Sequence, residues 1–210
     1  MKRKIFFASS MAFIIATVFV LPRYTKYHLP VIIWQKPKEK ETEYARIKLK
    51  AAELKKYCLA NDYSTHFGFI ADMKQHSGLK RFFVYDFAKD SVVASGLVAH
   101  GSCNSAYLKT AKFSNNVGCG CSAKGKYKIG YTYKGRFGKA FKLYGLEKSN
   151  NNAFGRNIVL HAYDCVPDEA TYPQPICNSL GCAMVSYRFL ETLSGYIGKT
   201  EEEIVLWVIE

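Results

Sequence analysis

Short runs of β-branched and aromatic residues, separated by polar turns, dominate the chain from Arg81 onward. The runs 82–87 and 91–98 flank the turn Ala88-Lys89-Asp90, a pattern typical of a β-hairpin. The same criteria predict further strands at 125–133, 137–144, 157–162 and 203–209. Because only residues 39–61 and 184–197 read as helices, we expect a fold that is mostly antiparallel β with a few helices.

Residues 39–61 contain no Gly or Pro, and apolar residues recur in them every three or four positions. This apolar stripe consists of Tyr44, Ile47, Ala51, Leu54 and Cys58. A stripe of this kind is typical of a helix that docks on a core, in which Cys58 would be a small buried hydrophobe.

The N-terminus begins with Lys2-Arg3-Lys4, and residues 5–21 then carry no charge. This pattern predicts a signal peptide or a single membrane anchor over residues 1–22. We favour the anchor, because no cleavage motif of small residues follows Leu21. The positive cluster would keep the N-terminus in the cytoplasm and place the rest of the chain in an extracytoplasmic, periplasmic or cell-surface compartment. Residues 23–61 would then form a linker and the amphipathic helix, and 62–210 the main domain.

The 30 Lys and Arg residues outnumber the 17 Asp and Glu residues, giving a net charge of +13. Most of this excess lies in residues 1–56, with 13 basic against 4 acidic residues, while 57–210 carry only +4. Basic residues beside a membrane anchor explain such a distribution. A nucleic-acid-binding domain would concentrate the charge on its own surface, so we expect no nucleic-acid partner. The sequence indicates no oligomeric state.

Seven cysteines leave at least one thiol unpaired unless chains are cross-linked. Cys165 and Cys177 flank a proline-rich loop and are the strongest disulfide candidate. Cys103 could pair with Cys119 or with Cys121. The alternative of a zinc site is disfavoured, because the one close pair, Cys119-x-Cys121, has no second pair to complete it; we expect neither metal nor cofactor.

Cys182 follows Gly181 and precedes the apolar segment read as a helix. A thiol at a helix N-terminus would have a lowered pKa, and the backbone N–H of Gly181 could stabilise an oxyanion. His161 closes the apolar strand run 156–161 and could serve as the general base for this thiol. The alternative for His161 is a hydrogen-bonded structural histidine.

The sequence around these residues resembles the L,D-transpeptidase catalytic domain family (YkuD-like). It is most similar to the divergent branch of murein L,D-transpeptidase catalytic domain-like proteins. The resemblance covers about residues 81–210 and rests on motifs that occur in the expected order. These motifs are His100-Gly101, Phe113-Ser114-Asn115, Gly125-x-Tyr127, Tyr133-x-Gly135, Gly138, Tyr144-Gly145-Leu146-Glu147, Arg156-x-Ile158-x-x-His161 and Ser179-x-Gly181-Cys182. The resemblance implies an antiparallel β-sandwich or barrel with a helix after the nucleophile.

The resemblance also implies that Cys182 is the nucleophile and His161 the general base. The sequence departs from the family motif at two positions, where Leu180 replaces a His and Met184 replaces an Arg or Asn. Both replacements leave the nucleophile and the base in place. They alter the surroundings in which the family would bind its acceptor.

The implied reaction is acyl transfer on a murein stem tetrapeptide, with loss of D-Ala and formation of a thioester. An amine acceptor would give a 3→3 cross-link, and water would make the protein an L,D-carboxypeptidase. The remaining alternative is an inactive murein-binding module. We expect Arg156 and Ser179 to bind substrate, Arg156 through stem carboxylates; a surface salt bridge is the alternative for Arg156. The expected partners are the stem peptide and, through the anchor, the membrane.

Overall fold

The computed structural model describes residues 38–210, with side chains from Thr42 onward. The predicted anchor and the linker before the first helix lie outside the described residues. Within residues 38–210, no helix is both long and apolar enough to cross a bilayer. All strands belong to the unit Thr42–Glu210.

Two helices and eight strands make up the described part of the chain. In chain order they are α1 (Lys38–Ala60), β1 (Phe67–Asp72), β2 (Phe82–Asp86), β3 (Ser91–Gly96), β4 (Gly125–Gly135), β5 (Gly138–Gly145), β6 (Val159–Ala162), β7 (Ala183–Val185), α2 (Tyr187–Ile197) and β8 (Val205–Ile209). The predicted hairpin and the strands at 125–133, 137–144, 157–162 and 203–209 are therefore present with small changes at their ends.

The strands form one sheet in the order β3-β2-β1-β8-β4-β5-β6-β7. Neighbouring strands are antiparallel except for β1 with β8 and β6 with β7, which are parallel. The prediction of a mostly β fold is confirmed, but the sheet is mixed rather than purely antiparallel. The reason is that β8 inserts between β1 and β4, and that β7 returns to β6 through a long crossover.

Near β1, each face of the sheet is covered by a different helix. The apolar stripe of α1 packs on one face, where Ile47, Ala51, Leu54 and Cys58 are fully buried with residues of β1, β2 and β8. Tyr44, also assigned to the stripe, is half exposed. The apolar face of α2 packs on the opposite face through Phe189, Leu190 and Leu193. This packing places α1 in the same core as the strands.

Two elements differ from the prediction. β1 was not expected; it is buried on both faces and so lacks the alternation that marks a strand. The helix predicted over 184–197 begins only at Tyr187, because Ser186 caps it by accepting a hydrogen bond from the N–H of Phe189. The residues before this cap form β7.

Candidate active site

Strands β6 and β7 bring Cys182 and His161 to neighbouring positions of the sheet. Leu160 pairs with Ala183, and His161 pairs with Met184. Cys182 therefore lies one residue before the β7 partner of Leu160, and His161 one residue after Leu160. From strand geometry their Cα atoms are about 8 Å apart, a separation that the two side chains can bridge.

The His161 ring is buried and has a fixed tautomer. Its Nδ1 lies 2.9 Å from the carbonyl oxygen of Ala162, to which it donates. Phe137 stacks on the ring with centroids 5.1 Å apart. Within residues 38–210 no group hydrogen-bonds to Nε2, so this nitrogen keeps a free lone pair. Burial lowers the pKa of His161, which favours the neutral ring that a general base requires.

The Cys182 thiol lies 3.7 Å from the backbone oxygen of Asn157, to which it donates. The prediction that Cys182 sits at a helix N-terminus is wrong, because β7 and the Ser186 cap separate it from α2. The predicted lowering of its pKa is wrong as well. Burial raises the pKa of Cys182, against smaller opposing effects of the Val159 backbone N–H and of Lys142 and Arg156. The resting group is a thiol, which needs a base to become a nucleophile.

The turn before Cys182 is held by Gly181 and Ser179. Gly181 has a φ of +112°, and a Cβ at this position would lie 2.6 Å from the backbone oxygen of Cys121. Glycine is therefore required for both the backbone conformation and the close approach. The Gly181 N–H donates to Ser179 Oγ at 3.1 Å, and the Ser179 hydroxyl donates to the Cys182 backbone oxygen at 2.8 Å.

These hydrogen bonds bear on two predicted roles. The Gly181 N–H, expected to stabilise an oxyanion, already has an acceptor within the turn. The Ser179 side chain, expected to bind substrate, is buried and shapes the same turn. Both roles stay predictions, and the structure adds that these groups position Cys182.

Arg156 reaches the loop that packs beside the turn. Its guanidinium donates to the backbone oxygens of Ser114, at 3.0 Å, and of Cys121, and to the Cys119 sulfur at 3.3 Å. These bonds tie the cysteine-containing loop to the residues before β6. The expected contact of Arg156 with stem carboxylates stays a prediction.

Four cysteines form disulfides. Cys165 and Cys177 pair with Cα atoms 6.0 Å apart, as predicted. Of the two alternatives for Cys103, the structure has the pairing with Cys121. The pair Cys119-x-Cys121 is therefore not free to bind zinc. In the part of the chain that the structure describes, no group of three or more His, Cys, Asp or Glu side chains could hold a metal.

Two neighbours of Cys182 were not among the predicted site residues. Lys142 on β5 donates to the side-chain oxygen of Asn157 at 3.2 Å, and the backbone oxygen of the same Asn157 accepts from Cys182. A lysine in a strand usually reads as a solvent-facing residue, so the sequence carries no signal that Lys142 lies near Cys182. Asn157 has a positive φ, a conformation that Asn tolerates. Leu180, in the place of the family's His, is 77% exposed.

Comparison with known proteins identifies the family to which the chain belongs. The sequence model of the L,D-transpeptidase catalytic domain matches residues 38–207. No curated protein gives a significant match.

Solved structures give distant similarities. The helical cell shape determining protein Pgp2 of Campylobacter jejuni is 12% identical with a TM-score of 0.44, over 68% of this chain and 46% of Pgp2. An L,D-transpeptidase of Mycobacterium smegmatis is 12% identical with a TM-score of 0.39, over 69% of this chain and 59% of the other. One of Xylanimonas cellulosilytica is 13% identical with a TM-score of 0.38, over 73% and 68%. The chain thus spans about half the length of Pgp2. With the family model covering most of its length, the chain belongs to the family of L,D-transpeptidase catalytic domains.

Proposed function

We propose that the protein is an acyl transferase that acts on murein stem tetrapeptides with Cys182 as the nucleophile. His161 Nε2 takes the thiol proton, and the sulfur attacks the carbonyl carbon of the third stem residue. The bond to D-Ala breaks, His161 returns the proton to the departing amine, and a thioester remains. An amine of a second stem peptide then attacks the thioester carbonyl carbon and loses its proton to His161. The carbon–sulfur bond breaks, His161 returns the proton to the Cys182 sulfur, and a 3→3 cross-link remains.

The observation that carries this proposal is the state of the two reacting groups. A hydrogen bond to Ala162 fixes Nδ1 of His161, so the lone pair lies on Nε2, and burial lowers the pKa of this ring. Burial raises the pKa of the Cys182 thiol. A neutral imidazole beside a protonated thiol is the pair from which general-base catalysis begins.

Water could replace the amine at the second step, which would make the protein an L,D-carboxypeptidase. The exposed Leu180 supports an altered acceptor side, because an apolar side chain cannot hydrogen-bond an acceptor as the family's His does. The products separate the reactions: cross-linked dimers indicate an amine acceptor, and tripeptides with free D-Ala indicate water.

The test is turnover of purified disaccharide tetrapeptide by wild type and Cys182→Ala, with products identified by mass spectrometry. We expect no product from Cys182→Ala. Cys119→Ser is the matched control, since Cys119 is also a partly exposed free thiol; it should retain activity. Turnover by Cys182→Ala at the wild-type rate would refute the proposal, and an inactive wild-type protein that binds murein would favour the binding module.

We also propose that residues 5–21 anchor the domain outside the cytoplasm. The two disulfides support an oxidising compartment. Alkaline extraction of membranes tests the anchor: an integral protein stays in the pellet, and a variant without residues 1–22 is released.

A further inference from the structure

Lys142 is a buried cation that has no anionic partner in the part of the chain that the structure describes. It is 5% exposed, donates to the neutral side-chain oxygen of Asn157, and lies 4.4 Å from the centroid of the Phe154 ring. Among the ion pairs within residues 38–210, none includes Lys142. Burial of an ammonium group without an anion is energetically unfavourable, which raises the question of which anion neutralises it.

The sheet register brings Lys142 and Cys182 to the same place from two strands. Lys142 on β5 pairs with Val159 on β6. Val159 precedes Leu160, whose β7 partner is Ala183, the residue after Cys182. Lys142, Val159 and Cys182, the residue just before β7, therefore lie in register across the sheet.

Asn157 connects the two side chains directly. Its side-chain oxygen accepts from Lys142 Nζ at 3.2 Å, and its backbone oxygen accepts from the Cys182 thiol at 3.7 Å. The ring of Phe154, stacked on Tyr144 with centroids 5.2 Å apart, limits the ammonium on another side. Asn157 therefore links the ammonium and the thiol, and Phe154 restricts the position of the ammonium.

We infer that the ammonium group of Lys142 is the counter-ion of the Cys182 thiolate, and that Asn157 and Phe154 hold it in position. When the thiol proton passes to His161 Nε2, the negative charge left on sulfur faces this ammonium. The inference rests on the proposed function, because it assigns Lys142 a part in activating the proposed nucleophile. Lys142 is thus a positioning residue for the charge of the reacting sulfur.

Among the described residues, two charged groups act on Cys182: Lys142 from β5 and Arg156 from the segment before β6. The strand register also places His161 of β6 near Cys182. The guanidinium of Arg156 already donates hydrogen bonds to the backbone oxygens of Ser114 and Cys121. Lys142 has a single neutral acceptor, so its charge is the less compensated of the two. Burial lowers the pKa of Lys142, while the Cys182 thiolate favours its charged form; the effect of Lys142 on the thiolate is the reciprocal one.

The test is the pH dependence of Cys182 alkylation by iodoacetamide, followed on the peptide that carries Cys182 by mass spectrometry. Lys142→Met should slow alkylation at neutral pH by about tenfold and move its midpoint up by about one pH unit, since an opposite charge nearby typically shifts a pKa by one unit or more. Lys142→Arg should restore most of the rate.

Lys139→Met is the matched control, because Lys139 lies on the same strand but is exposed and pairs with Glu191; its alkylation should follow wild type. A Lys142→Met profile equal to wild type would overturn the inference. Alkylation needs no murein, so this result is separate from the proposed function. If Cys182→Ala still turned over murein while the Lys142→Met shift persisted, the reaction assignment would fail and the ion pair would stand.

If Lys142→Met does not fold, a second measurement tests the inference without that variant. Reductive ¹³C-methylation of the lysines allows the titration of Lys142 to be followed by NMR in wild type and in Cys182→Ser. Loss of the thiolate should lower the midpoint of Lys142, since coupling between two sites is reciprocal. Equal midpoints in the two proteins would overturn the inference.

Discussion

Two buried polar clusters lie within the same domain, and they differ in how completely their hydrogen bonds are satisfied. The Arg81 cluster consists of Arg81, His100 and Asn178. The Cys182 cluster consists of Cys182, His161, Lys142 and Asn157. Each contains a buried histidine whose pKa is lowered by burial, so burial alone does not distinguish them.

In the Arg81 cluster the polar groups are paired with one another or with backbone. Arg81 donates to the carbonyl oxygens of Val98 and Gln75 and to Nδ1 of His100. His100 Nε2 donates to the carbonyl oxygen of Leu108 at 3.0 Å. Both ring nitrogens of His100 are therefore occupied, and its side chain is inaccessible to solvent.

In the Cys182 cluster, by contrast, the hydrogen-bonding groups are only partly satisfied. His161 Nε2 has no hydrogen-bond partner within the described part of the chain, and Lys142 donates only to Asn157. A satisfied buried cluster specifies structure, whereas a buried cluster with a free base and an uncompensated charge is equipped for chemistry. An unsatisfied hydrogen-bonding group, rather than burial, therefore distinguishes the candidate active site from the structural cluster.

Replacement of His161 should have the largest effect on turnover. Without the free Nε2, the thiol has no base, so His161→Ala should slow acylation by about 10²–10⁴-fold, the range for general-base catalysis. The rate is measured in single turnover by mass spectrometry of the thioester. His100→Ala is the matched control, and its acylation per folded molecule should stay within a few-fold of wild type. A larger loss in His100→Ala would show that His100, rather than His161, is the general base.

Replacement of Arg81 should have the largest effect on stability. Arg81→Met leaves the His100 ring and the Val98 and Gln75 oxygens without their donor, at a cost of about 3–5 kcal/mol in the free energy of unfolding. Urea denaturation measures the change. Arg188→Met is the control, because Arg188 is largely exposed, and it should shift stability by less than about 1 kcal/mol. A small effect of Arg81→Met would show that the cluster does not specify the fold.

The Arg81 cluster should also make stability depend on pH. Burial and the neighbouring Arg81 lower the pKa of His100 to about 4. In the unfolded chain His100 protonates near pH 6.5, so the unfolded state binds more protons below that pH, and stability falls as the pH drops from about 6.5 to 4. His161 contributes in the same direction.

The expected contribution of His100 is about 3 kcal/mol over this range. Urea denaturation at pH 7 and pH 4.5 should therefore show a smaller acid loss in His100→Asn than in wild type. Equal losses in the two proteins would mean that His100 titrates normally in the folded state.

The sequence predicts the positions of most strands and the two residues proposed to react, but not the surroundings of those residues. Strands such as β4 and β5 have turn signals at both ends, and His161 and Cys182 are recognisable from the family motif. The sequence pattern places most of β7 in a helix, because the apolar residues from Met184 onward continue past the Ser186 cap. Whether a run of this kind is strand or helix depends on the neighbour Ala99, which bridges to Met184 and is remote in sequence.

Lys142 illustrates a second feature that the sequence pattern does not predict, namely which segment packs on a strand. A lysine in a short strand such as Gly138–Gly145 reads as a solvent-facing residue, yet residues 140–143 are all buried. Lys142 is buried because Phe154 and Asn157, from the segment before β6, cover its side of β5. A local pattern shows which residues share a face but not what packs on that face.

The smallest effect is expected from the ring that stacks on His161. Phe137 is 42% exposed, so Phe137→Leu should change the free energy of unfolding little. The stacking at 5.1 Å nevertheless restricts the imidazole on one side, and such contacts contribute about 0.5–1.5 kcal/mol. Acylation should therefore slow by about two- to tenfold. Tyr172→Leu is the matched control, because Tyr172 is also exposed and contacts a histidine, His76, at 5.2 Å but lies outside the Cys182 cluster. An equal loss in both variants would show that the Phe137 ring does not act through His161.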